Sequence, residues 1–307
     1  MGPFWPFLTR LLVVPTTSLA ILLLAGVPVR AATDDFNDGT DDGWIHYNPI
    51  GTGSWTLLNG TYRLQSSASP SPTSAGPGRV GSLRAESYGQ FYIAVDLVTW
   101  DNSLDQLFGV IARVSDAGLG STLGYSFTYA TRTGRAATGQ LQILRIASEA
   151  GTQLAGASSN ILLQASQSYR LVFTGLRDRF TGQLFALPNL TTPLATITGS
   201  DSGYTSGSGG IFTYDNSSSR ANRADTTFDN FVFQELQPPL TIAQDPTSSD
   251  VRLSWPDWAT DYRLQRTTEL PATSWEDLLN FVDQANGLFY TFDDTSLPAA
   301  FYRLIKP

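Results

Sequence analysis

The feature that most constrains this chain is a period-two alternation of apolar and polar residues, repeated in short runs along most of its length. In Phe91-Tyr92-Ile93-Ala94-Val95-Asp96-Leu97, the residues Phe91, Ile93, Val95 and Leu97 fall on one face of an extended strand. Tyr125, Phe127 and Tyr129 share a face opposite Ser126 and Thr128, and Tyr169, Leu171 and Phe173 repeat the pattern. Val251, Leu253 and Trp255 alternate with Arg252 and Ser254. Clusters of Gly, Ser, Asn and Asp separate these runs, as turns require. The expected fold class is all-β, built from many short antiparallel strands that stack as sandwiches.

At 307 residues the chain has room for about two domains. Two stretches, Ser66 to Gly81 and Gly199 to Gly210, have the composition of loops. Pro238-Pro239 follows the strand-like Asn230 to Gln234, and proline can neither donate to a β-ladder nor leave its predecessor helical. The boundary is therefore set there, giving a leader over 1–32, a large sandwich over 33–237 and a small β-module over 238–307. One segment supports two readings. Ser274 is placed to cap a helix in which Trp275, Leu278, Leu279 and Val282 share a face before Asn286-Gly287, and the same residues also suit a strand and a loop.

Arg10 is the one charge before Arg30, and the clean apolar core of the N-terminus runs only from Leu19 to Val27. That is short of the roughly 20 residues a membrane-spanning helix needs. Pro28 ends it, and Val29-Arg30-Ala31 fits a signal-peptidase site, so a leader cut near Ala31 or Ala32 is expected, with no membrane span left afterwards. Export with no cysteine in the chain points to a secreted or cell-surface protein of a bacterium.

The absence of cysteine also rules out disulfides, thiolate catalysis and zinc–cysteine sites. A net charge of −8, with no Lys/Arg run, excludes a nucleic-acid partner. Charged residues make up 15%, so Ser, Thr, Asn, Gln and Gly must cover much of the surface.

Asp34-Asp35-Phe36-Asn37-Asp38-Gly39, Gly43-Trp44, Gly53-Ser54-Trp55, Asn59-Gly60-Thr61-Tyr62-Arg63-Leu64 and Thr227-Phe228-Asp229-Asn230-Phe231 together resemble bacterial members of the concanavalin A-like lectin/glucanase superfamily, including laminin-G-like jelly rolls. The resemblance covers about 33–237. It implies an antiparallel jelly-roll β-sandwich whose first and last strands lie side by side. Val251-Arg252-Leu253-Ser254-Trp255, Tyr262-Arg263-Leu264-Gln265, Trp275 and Phe301-Tyr302-Arg303-Leu304 look like a short Ig/fibronectin III-like β-sandwich, of the kind appended to exported bacterial proteins.

Glucanases of the concanavalin A-like superfamily carry clustered acids of a Glu-x-Asp-x-Glu type, and none of Glu86, Glu149, Glu235, Glu269 and Glu276 sits in such a cluster, so the expected function is that of a lectin-like protein that binds a polysaccharide or cell-surface glycan without cleaving it. Sugars stack on exposed aromatic rings flanked by polar groups. Trp100-Asp101-Asn102, where a strand enters a loop, and Tyr204, in a Gly/Ser stretch, are the candidate platforms. A glycoside hydrolase or lyase of the same superfamily is the first alternative. It needs two carboxyl groups about the scissile bond, and Asp96 with Asp101 is the nearest pair. A structural or adhesion protein without a sugar ligand is the second. A Ser-His-Asp site would have to use His46, the one histidine, and no Gly-x-Ser-x-Gly elbow accompanies it. Asp38 to Gly43 opens like an EF-hand loop, but Pro49 stands where the closing glutamate belongs. If the first and last strands meet, Asp35, Asp38 and Asp229 would be brought together as ligands of a structural Ca2+.

Overall fold

The computed structural model describes residues 31–306 apart from 72–75, 133–138, 157–160, 218, 220, 221, 246, 247, 249 and 295–298, and the side chains of 48 and 49. The expected leader lies outside the described residues, except for Ala31 and Ala32, which open the first strand. The chain is all-β and divides into two units, Arg30–Leu236 and a smaller one from Gln237 onward. Among the described residues no helix is long and apolar enough to cross a membrane.

Among the described residues the large unit has fifteen strands: β1 (Ala31–Asp34), β2 (Trp44–Ile50), β3 (Gly53–Leu58), β4 (Thr61–Ser66), β5 (Arg79–Tyr88), β6 (Phe91–Trp100), β7 (Gln106–Ser115), β8 (Leu123–Ala130), β9 (Gln140–Ala147), β10 (Ala150–Gly156), β11 (Tyr169–Leu176), β12 (Arg179–Ala186), β13 (Ala195–Ser200), β14 (Gly207–Asp215) and β15 (Ala224–Glu235). They form an antiparallel jelly-roll sandwich. One sheet runs β13-β12-β11-β6-β15-β4-β3, with β1 added beside β15, and the other runs β10-β9-β8-β7-β14-β5-β2. The first strand does lie against the last: Ala31 pairs with Gln234 and Asp34 with Phe231.

The alternation seen in the sequence becomes the core. Phe91, Ile93, Val95 and Leu97 of β6, Tyr169, Leu171 and Phe173 of β11, and Tyr125, Phe127 and Tyr129 of β8 are all buried in one inter-sheet cluster. In β15 strict alternation would turn either Phe228 or Phe231 outward. A register shift between Asp229 and Val232, with Asn230 at φ 49°, inserts the bulge that lets both face the core. A second bulge, with Arg113 of β7 at φ 50°, turns that arginine into the protein. Arg113 is 2% exposed. It donates to the backbone carbonyls of Gly89, Tyr204 and Arg177 at 2.9, 2.9 and 2.7 Å, and it sits over the rings of Phe91, Phe180 and Tyr125.

The small unit holds β16 (Thr241–Gln244), β17 (Val251–Pro256), β18 (Arg263–Thr267), β19 (Glu276–Asp277), β20 (Asp283–Ala285), β21 (Leu288–Asp293) and β22 (Phe301–Ile305). They form a four-stranded sheet, β16-β17-β21-β20, and a three-stranded sheet, β19-β18-β22, about a core of Val251, Leu253, Trp255, Leu264 and Tyr302. The segment open to two readings is strand and loop. Its apolar residues do not share a face: Leu278 packs on the core while Leu279 is 89% exposed. Trp275 is held under Arg303, with the guanidinium 4.3 Å from the ring centroid, and the Leu278 N–H bonds to the Leu264 carbonyl. These contacts along the sheets replace a helix's internal ladder.

Candidate functional site

The residues expected to form a sugar platform do not meet. Trp100 ends β6 and Tyr204 precedes β14, at opposite ends of the sandwich. Arg113, for example, bonds to Tyr204 and to Gly89, which lies just ahead of β6, ten residues long and spanning roughly 30 Å. Trp100 is not exposed as expected but 6% exposed. Rings from both sheets (Phe108, Tyr129 and Tyr169) close the end of the core around it, and its indole N–H donates to Asn102 Oδ1 at 2.6 Å. Asp101 accepts from the Ser103 N–H and hydroxyl and pairs with Arg223 at 3.2 Å. The Ser103 bonds hold its carboxyl below the usual range. Tyr204 is half-buried against Tyr125, with the Arg145 guanidinium 5.1 Å from its ring centroid.

Asp96 does not pair with Asp101 as a glycosidase couple either. Its carboxylate takes a two-pronged bond from Arg170, at 2.6 and 2.9 Å, and a third from Asn230. His46 bonds to Asp41 Oδ2 at 2.7 Å and stacks flat on Trp55, 4.0 Å between centroids, clamping edge strand β2 to edge strand β3. Burial works against ionisation of Asp41, but the bonds from His46 and Tyr62 keep its carboxyl below the ordinary range.

The aspartates expected to bind Ca2+ make local backbone bonds. Asp35 and Asp38 accept the N–H of the residue two positions on, Asn37 and Thr40, and so act as turn formers. Asp229 is near enough to Asp35 to feel its charge. Among the described residues, however, no group of three or more His, Cys, Asp or Glu is placed to hold a metal ion.

The feature that sequence reasoning missed is a cleft of about 1030 Å³ over the outer face of the seven-stranded sheet, at the upper end of the roughly 300–1,000 Å³ of small-molecule sites. Antiparallel register lays its floor in rows across the strands. One row runs Tyr47, Gly81, Phe212, Gly109, Thr128, Gln142, through β2, β5, β14, β7, β8 and β9. Its neighbour runs Leu83, Gly210, Ile111, Ser126, Leu144. The glycines keep the floor low. A Cβ at Gly81 would stand 2.9 Å from the Tyr47 ring and 3.0 Å from the Ile211 carbonyl. The Phe212 and Tyr214 rings lie parallel, 5° apart and 6.4 Å between centroids, along the same face.

Loops form the rim: Gly76 and Pro77 before β5, Leu119 and Gly120 between β7 and β8, Ser148 to Gly151 at the β9–β10 turn, and Asp215 to Ser217 after β14. Two of the lining residues are carboxylates, and both are engaged. Glu149 is ion-paired with Arg79 and accepts from Thr122. Asp215 accepts the backbone N–H groups of Ser217 and Asn222, both at 2.8 Å. The hydroxyls of Ser126 and of Thr128, in the adjoining row of the sheet, are fully buried and have no hydrogen-bond partner in the protein.

No family model and no curated protein matches the chain. Solved structures that it is similar to include the carbohydrate-binding module CBM66 from Bacillus subtilis, at 15% identity and TM-score 0.46, covering 63% of this chain and 96% of that one. A prokaryotic β-1,3-1,4-glucanase (lichenase) derived from a mouse hindgut metagenome is similar at 12% identity and TM-score 0.47, covering 67% and 98%. The exoplasmic/lumenal domain of VIP36 in its Ca2+/Man2-bound form is similar at 10% identity and TM-score 0.48, covering 71% and 90%.

Proposed function

We propose that this is an exported lectin-like protein that binds a glycan in the cleft of the seven-stranded sheet and does not cleave it. The observation that carries the reading is the cleft itself: an aromatic and aliphatic surface bearing Tyr47, Phe212 and Tyr214, rimmed by polar loops. Sugars present C–H faces that suit the rings of Tyr47, Phe212 and Tyr214, and hydroxyls that suit the polar rim.

The carboxylates favour binding over hydrolysis. Glycosidic cleavage uses one carboxyl group that holds a proton and a second that is free to attack or to activate water. Glu149 is bound to a guanidinium and Asp215 holds a loop through two backbone amides, so neither is free for that work. In this reading the small unit serves as a spacer.

The test is depletion of the whole protein from solution by a panel of insoluble and soluble polysaccharides, followed by titration calorimetry on whichever binds. Tyr214→Ala removes one ring of the stack and lowers the affinity by roughly 5- to 100-fold, since aromatic stacking is worth about 1–3 kcal/mol. No depletion by any polysaccharide, or full affinity in Tyr214→Ala, overturns the proposal.

A further inference from the structure

We infer that the glycan enters the cleft as a single chain, beneath a strap that the β7–β8 loop and the β9–β10 turn hold across it. This rests on the glycan-binding reading above and narrows the form of ligand that the site takes. The strap is pinned to the far side of the sheet at two points. The Tyr47 hydroxyl, on β2, donates to Thr122 Oγ1, next to β8, at 2.6 Å. Arg79, on β5, is ion-paired with Glu149 in the β9–β10 turn. In the sheet, β5, β14 and β7 lie between β2 and β8, and β14, β7 and β8 lie between β5 and β9. Each pair is thus four strand spacings apart, about 19 Å measured along the sheet. Two side chains cannot bridge that distance along the surface, so the contacts are made above the floor, over β14 and β7.

The loop and the turn are also bound to each other. The Glu149 N–H donates to the Thr122 carbonyl at 3.1 Å, and the Thr122 hydroxyl donates to Glu149 Oε1 at 3.2 Å. Each is closed within itself. Ser121 donates its N–H to the Gly118 carbonyl and its hydroxyl to the Asp116 carbonyl. Ser148 and Glu149, at φ 48° and 68°, make the two-residue turn that a right-twisted hairpin favours. The two segments therefore move as one piece. Its pins are side-chain contacts, which can release without breaking a strand ladder. Leu119, Gly120 and Ser148 of the strap line the same cleft as Ile111, Leu144 and Phe212 of the floor, so the space lies between strap and floor.

A ligand in that space is covered on two sides. A chain packed in a solid polysaccharide offers one side only, because its neighbours cover the other. Such a surface can rest on an open, flat platform, but it cannot pass under a strap. The form that fits is a chain free on both sides, either a soluble glycan or a loose strand of a larger one.

The experiment offers each polysaccharide of the panel to the whole protein in two forms, the packed solid and its soluble hexasaccharide. Microcrystalline cellulose is set against cellohexaose, for example, and crystalline chitin against chitohexaose. The expected result is binding of the hexasaccharide and no depletion by the packed solid. Depletion by a packed solid that its hexasaccharide does not reverse overturns the inference and leaves glycan binding standing. Stopped-flow kinetics with the hexasaccharide that binds then tests the strap. Thr122→Val replaces the acceptor hydroxyl with a methyl of the same shape. It raises kon and koff together by roughly 2- to 10-fold, the worth of one neutral hydrogen bond, and leaves Kd nearly unchanged, because a strap hinders entry and exit alike. Unchanged rates, or a change in koff alone, overturns the inference.

Relaxation dispersion on the free Tyr47→Phe protein, which loses the same bond from its other side, checks the strap without a ligand. The amides of 118–122 and 148–151 show exchange at one common rate. A flat profile there, or two different rates, overturns the strap. No binding by any member of the panel overturns the glycan reading, and the dispersion measurement then decides the strap by itself.

Discussion

Replacing Arg113 by methionine tests the reasoning about the core most sharply. The side chain is buried, yet no carboxylate touches it; its charge is spread over three backbone carbonyls and three aromatic faces. Those carbonyls belong to separate turns: Gly89 between β5 and β6, Arg177 between β11 and β12, and Tyr204 between β13 and β14. Methionine keeps most of the stem's volume and removes every donor. A hydrogen bond from a charged group contributes about 1.5–3 kcal/mol, so three would total roughly 4–9 kcal/mol. Two effects reduce this. Burying the guanidinium itself costs several kcal/mol, which methionine recovers, and the turn carbonyls are only partly buried and regain some water. The expected loss is about 2–4 kcal/mol. For a unit of this size that lowers the melting temperature by roughly 5–15 °C. Scanning calorimetry of the whole protein measures it, and the small unit's transition serves as the unmoved reference. Arg113→Lys falls nearly as far, because one ammonium cannot span three carbonyls. A loss below about 1 kcal/mol in Arg113→Met would show that the guanidinium contributes no net stability.

Two further outcomes follow from the structure. Burial, with help from the Asp96 and Asp35 charges, pushes the Asp229 carboxyl up to about 6 from its ordinary 3.8. The folded state thus holds that proton more tightly than the unfolded chain, so this group's contribution to stability rises as pH falls from 7 through 6 and levels off below about 4. Asp229 is part-exposed, so the full linkage value is halved for solvent screening, and Asp229→Asn stabilises by about 1–1.5 kcal/mol at pH 8 and by little at pH 4. Urea midpoints for both proteins across that range check it, and a difference that stays constant with pH would refute it. Starting the chain at Asp35 instead of Ala31 deletes β1, which pairs with β15 and buries Ala32 to 2% exposure. The loss is about 2–3 kcal/mol from ladder bonds and burial, read as a lower melting temperature of the large unit.

The inter-sheet core was legible because a strand with one buried face writes its faces into the sequence. Phe91 to Leu97 and Tyr125 to Tyr129 needed no partner to be read. Exposure at a strand end is different, because it depends on what the other sheet brings there. Trp100 looked free by position, and Phe108, Tyr129 and Tyr169 cover it. The cleft had a trace that alternation alone passes over. Strand β7 is buried on both faces from Gln106 to Val114, which is how a strand reads when its outer side is also lined with apolar residues. Yet the rows joining Tyr47 to Phe212 or Ile111 to Leu144 exist only through register between distant segments, and no local pattern records them. Arg113 left no sign at all, since its inward turn depends on a bulge.

The pairing of β1 with β15 also governs when the large unit can form. Ala31 and Gln234 are neighbours in space and about as far apart along the chain as the unit allows. Contacts of such separation must wait for the whole intervening loop to close, which makes folding slow and all-or-none. An unfinished chain, or one whose first residues are still held elsewhere, cannot complete the sheet, because β15 then has an open side from Phe231 to Gln234. The large unit therefore gains its last increment of stability only when both ends of its chain are present and free to pair.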